Sequence, residues 1–139
     1  MQQPWNPWRE LSNRPEVKLE WIHRGKRGCI DFTTRTITLR YSMPFEERRC
    51  VIAHELVHDE RGDVPRWMKP REEAAVRRES ARRLITLDEL ERALRWAEYI
   101  EDAAEELRVD VPTLQARLAD LTEDERAHLE RQLEHRHHH

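Results

Sequence analysis

All three glycines (Gly25, Gly28, Gly62) and six of the seven prolines fall at or before Pro70, and beyond it the one breaker is Pro112. Glycine and proline punctuate helices and close turns. Their distribution restricts each half of the chain: short elements joined by turns before residue 70, and nearly continuous helix after it. Charge divides at the same place. Residues 1–69 carry 13 Lys/Arg against 10 Asp/Glu, and residues 70–139 carry 12 against 18, for net charges of +3 and −6. Neither imbalance is large enough to imply nucleic acid or a membrane as partner.

The first half reads as strands followed by a helix. Val17, Leu19 and Trp21 alternate with Lys18 and Glu20, the period of a half-buried strand. Gly25-Lys26-Arg27-Gly28 supplies a turn, Cys29–Phe32 a second strand, and Ile37, Leu39 and Tyr41 the inward side of a third. The close-spaced turns predict antiparallel pairing. A short helix is expected around Trp5, Trp8 and Leu11, and Pro44 and Gly62 bracket a helix over Phe45–Arg61. Later helices are predicted over Arg71–Ile85, from the capping box Thr86-Leu87-Asp88-Glu89, over Ile100–Leu107, over Pro112–Leu121, and from a second box, Thr122–Glu125.

The expected fold is therefore α+β: a small antiparallel three-stranded sheet packed on a central helix, with a C-terminal helical bundle. Leu, Ile, Val and Phe total 29 of 139 residues, thin for a core, but five Trp and two Tyr add apolar area. One domain over residues 1–134 is predicted, with a sheet-and-helix part to residue 70 and a helical part over 71–134. The tail His135-Arg136-His137-His138-His139 reads as a tag remnant. No apolar run approaches a membrane span, no signal peptide is visible, and two cysteines make no disulfide framework. A cytoplasmic location is the expectation.

The chemistry lies in His54-Glu55-Leu56-Val57-His58, an HExxH pattern inside the first long helix. Residues i and i+4 lie about 40° apart on one helical face, so both imidazoles can reach one metal ion. Glu55 lies about 100° around from His54, where it can take a proton from an attacking water without ligating the metal. Apolar residues on both sides of this helix predict that it is buried centrally. A mononuclear site needs a third protein ligand. The next helix offers Glu73, which the helical wheel places within the inward stripe of Val76, Ser80 and Leu84, and, as the fallback, Glu72 at the stripe's margin.

The stretch Arg48–His58 with Glu60-Arg61-Gly62, the run Glu72-Glu73-Ala74-Ala75, and Ala81–Ile85 resemble the ImmA/IrrE family of metallopeptidases, in the short form of actinobacteria and their phages. The resemblance covers roughly residues 4–130. It implies a gluzincin-like centre with His54, His58 and Glu73 as ligands, Glu55 as general base, and zinc, or alternatively manganese, as the metal. It implies an endopeptidase that cleaves a helix-turn-helix repressor and so regulates a phage, mobile element or stress response. One departure stands out. Such sequences often carry Asp or Asn four residues after the ligand glutamate, where it can orient a ligating histidine; here that residue is Arg77. The alternative reading is a weak or inactive member that binds a repressor or associates with DNA.

Other features read as structural. His23 and Tyr41 are upstream candidates for stabilising an oxyanion, each more simply a scaffold residue. Arg78 and Arg82, opposite the apolar stripe, suggest a solvated face rather than a nucleic-acid surface. The helix-turn-helix-like run 103–118 is acid-rich and suits packing or partner docking. The tryptophans read mainly as core, with Trp67 and Met68 also able to line a substrate groove.

Overall fold

The structure, a computed structural model, describes residues 4–134; the His-rich tail at 135–139 lies outside the described residues. Asn6 opens the first helix, α1 (Pro7–Ser12), by accepting from the Trp8 N–H at 2.8 Å, with Pro7 in the first turn. Three strands follow: β1 (Lys18–Ile22), β2 (Gly28–Asp31) and β3 (Thr36–Arg40).

The strand positions agree with the alternation in the sequence except at Tyr41, which lies just beyond β3 and is exposed, and the pairing corrects the antiparallel expectation. The sheet is mixed, in the order β1-β3-β2. β2 and β3 pair antiparallel, with Ile30 opposite Ile37, whereas β1 runs parallel to β3, with Leu19 opposite Ile37. The reason lies in the two turns. Residues 32–35 close a tight hairpin in which the Asp31 carboxylate accepts from the Thr33 N–H at 2.9 Å and Arg35 takes a φ of 52°. That hairpin occupies one edge of β3. β1 fills the other, so residues 23–27 pass across the end of β3 instead of closing a second hairpin.

Helix α2 (Phe45–Arg61) follows, ending at Gly62, whose φ of 82° and N–H to the His58 carbonyl at 2.9 Å close the last turn. It is buried on two sides. Ile52 and Leu56 pack with Val17, Ile37 and Leu39 beneath the sheet. Cys50 and Ala53 pack with Leu84, Leu90 and Leu114 among the later helices. Ile52 and Leu56 are fully buried, so truncating either to Ala costs about 2–5 kcal/mol.

A 3-10 turn (Arg66–Met68) leads into α3 (Lys69–Leu84); then come α4 (Leu87–Trp96), α5 (Ile100–Leu107), α6 (Val111–Ala119) and α7 (Glu123–Glu134). α4 starts at the predicted capping box, with Glu89 N–H to Thr86 Oγ1 at 3.2 Å. Asp110 caps α6. Leu114 of α6 is fully buried, so the helix-turn-helix-like run serves packing. Of the face expected to be solvated, Arg78 is exposed, but Arg82 is half-buried. Arg82 bridges to Asp120 at 2.7 Å and Glu125 at 3.0 Å, and Arg83 pairs with Glu60 and Glu79. Three tryptophans also depart from the core reading: Trp21, Trp67 and Trp96 are exposed, while Trp5 and Trp8 pack against the core clusters. Among the described residues no helix is long and apolar enough to cross a membrane.

Candidate metal centre

The i, i+4 spacing on α2 places the His54 and His58 rings together, with centroids 4.8 Å apart. α3 packs across α2 and delivers Glu73 between them. The His54 Nε2 lies 2.8 Å from one Glu73 carboxylate oxygen and the His58 Nε2 lies 2.8 Å from the other. One ligand atom from each residue falls within 4.8 Å of the others, so two imidazoles and a carboxylate converge closely enough to hold one metal ion. Phe32 closes one flank, its ring edge-on to His58 at 6.4 Å.

The structure brings together the three residues named as ligands, but corrects the reason for choosing Glu73. Its side chain is 48% exposed, whereas that of Glu72 is 11% exposed. Burial alone would have selected Glu72. That carboxylate is taken, however, by a two-bond pair with Arg61 at 2.7 and 2.8 Å, which ties the end of α2 to the start of α3. The inward stripe of α3 turns at its first helical turn toward an open cleft, and Glu73 looks into that cleft.

Charge states suit coordination. Burial holds the His54 imidazole below its ordinary value, and the charges of His58 and Arg77 act the same way against Glu73, leaving a neutral ring at neutral pH. Burial opposes ionisation of Glu73, but the two histidines outweigh it and keep the carboxyl below the usual range. Glu55 behaves oppositely. It is 6% exposed, without a hydrogen-bond partner among the described residues, and burial with the Glu73 charge pushes its carboxyl up to about 7. A carboxyl poised near neutrality beside a metal trio has the proton affinity of a general base.

Two cavities meet at this point. One of about 720 Å³ lies between the 25–28 turn, α3 and the start of α6; one of about 290 Å³ lies between β2 and residues 62–69. Lys26, Gly28, Glu55 and Glu73 line both, so they form two arms of one groove, His54 on one and His58 on the other. The sequence singled out neither Lys26 nor Arg40 of the larger arm, although Lys26 sits in the Gly25–Gly28 turn that it did mark. His23, Tyr41 and Trp67 line neither arm; Tyr41 instead packs against Trp21 and His23, with centroids 6.0 and 6.1 Å away. Among the described residues neither His54 nor His58 has a partner on its Nδ1. Arg77, in the position that the resemblance reserves for an orienting acid, lines the larger arm and supplies none.

No family model matches the chain, and no curated protein or solved structure matches it.

Proposed function

We propose that the chain is a zinc-dependent endopeptidase of the ImmA/IrrE type that cleaves a helix-turn-helix repressor. The observation that carries the reading is the placement of a buried, unpartnered Glu55 beside the convergent His54, His58 and Glu73. Two histidines and one glutamate are a donor set used for catalytic zinc, and manganese suits the carboxylate less exclusively. When bound, the metal polarises the peptide carbonyl and acidifies water. The protein's own residues do the rest. His54, His58 and Glu73 hold the centre between α2 and α3. Glu55 takes a proton from the attacking water and passes it to the departing amine nitrogen, as the C–N bond breaks. The groove on either side of Glu55 gives an extended chain room to lie across the site.

Metal analysis of tag-free protein and a single substitution test this. Near-stoichiometric zinc after reconstitution is expected, and Glu55→Gln should retain it while losing peptide cleavage. Only trace metal would sink the enzyme reading, and cleavage by Glu55→Gln would remove Glu55 from its role. A second reading, a repressor-binding module with a weak centre, draws support from the unpartnered Nδ1 atoms, since loss of such outer bonds costs about 10–100-fold in affinity or activity. It predicts repressor binding unchanged by Glu55→Gln and no cleavage by the wild type.

A further inference from the structure

The two arms of the groove differ in chemistry. Arg40 and Arg77 line the larger arm and Lys26 stands at the junction, and among the described residues none of the three pairs with a carboxylate. This contrasts with Arg14, Arg35, Arg61, Arg82, Arg83 and Arg117, each of which is engaged in ion pairs. Arg40 donates one bond, from Nη1 to the Gly25 carbonyl at 3.2 Å, and its Nε is buried without a partner. Of the carboxylates of that arm, Asp110 accepts from the Thr113 N–H at 2.9 Å as the α6 cap and Glu73 lies between the histidines, while Glu55 stands at the junction with the smaller arm. The smaller arm carries apolar side chains on both sides, Ile30 and Phe32 from the β2 side and Val64 from the 62–69 segment.

We propose that the groove selects a peptide with an acidic side chain on one side of the reacting bond, read by Arg40 and Arg77, and an apolar side chain on the other, held against Ile30, Phe32 and Val64. The proposal rests on the peptidase reading and names its substrate class. Charge-assisted bonds from guanidinium to carboxylate are about twice as strong as neutral ones, which makes the larger arm the more discriminating.

The test is binding, measured by fluorescence anisotropy on full-length Glu55→Gln protein with and without added zinc. The probes are a labelled peptide with a glutamate and a leucine flanking its central bond, and its counterpart with glutamine in place of the glutamate. The glutamate peptide should bind at least about tenfold more tightly, a difference that disappears when Arg40→Gln and Arg77→Gln are added. Replacing the leucine by serine should weaken binding whether or not the arginines are present. Equal binding of the glutamate and glutamine peptides, no binding of either, or a charge preference that survives loss of both arginines would overturn the proposal. So would tighter binding of a DNA oligonucleotide of equal charge. Failure of the peptidase reading registers separately, as wild-type protein that leaves intact a peptide which the Glu55→Gln protein binds selectively.

Discussion

Glu55 titrates differently in the folded chain and in the unfolded one, and this has a thermodynamic consequence. Its carboxyl rises from 4.5 to about 7 on folding, so the folded state holds that proton more tightly. The associated stability is present below the unfolded value and is lost as pH rises through the folded value. In metal-free protein, Glu55→Gln should therefore match the wild type near pH 4 and exceed it above about pH 8 by up to about 3 kcal/mol, as read by urea denaturation. A difference that does not change with pH would mean the carboxyl is not shifted. A cation held by His54, His58 and Glu73 would favour the Glu55 carboxylate, so under the proposed peptidase function the acid limb of kcat/KM should fall below about 7. The two neighbouring glutamates of α3 should also separate cleanly. Glu73→Ala should abolish metal binding, while Glu72→Ala should keep the metal and loosen only the junction with Arg61.

β2 crosses α2 closely at Gly28. A Cβ on Gly28 would collide with Val51 Cγ1 and lie 3.3 Å from Leu39 Cδ2, between helix and sheet. Gly28→Ala should therefore destabilise the protein by about 1–3 kcal/mol in a denaturant titration, since overpacking forces the strand off the helix. At this scale the sequence was legible wherever the deciding interactions are local. Pro44 and Gly62 set the ends of α2, Thr86 and Glu89 the start of α4, and period-two alternation the strands. The partner of β1 was not legible, because nothing within residues 18–22 distinguishes an edge of β3 from an edge of β2. The convergence of His54, His58 and Glu73 followed from one helix's spacing and the order of the next. The exposure of Glu73 and the bond that occupies Glu72 depend on how α3 leans on α2, which no helical wheel contains. Lys26 and Arg40 escaped notice for the same reason: the cleft they line exists only once the 25–28 turn faces α6.

At the scale of the whole molecule, the described residues form two apolar clusters that share α2, and the candidate trio His54, His58 and Glu73 sits on α2 and α3. A metal bound there joins the sheet side to the helical side through three side chains. Binding to the folded state alone at a thousandfold excess over Kd stabilises by about 4 kcal/mol, or roughly 14 °C in Tm for a chain of this size. Chelation should lower the melting temperature by a comparable amount, and an unchanged melt would mean that the trio holds no ion. The shared helix has a kinetic consequence as well. Opening the sheet leaves α2 covered by α3 and α6, and opening the later helices leaves it covered by the strands. In hydrogen–deuterium exchange the amides of Ile52, Ala53, Leu56 and Val57 should exchange last, only through global unfolding, while those of β1 and α7 exchange through smaller openings. The HExxH residues thus ride on the segment that local fluctuations disturb least, and a captured ion should leave on the timescale of whole-molecule unfolding or through the groove, not by fraying.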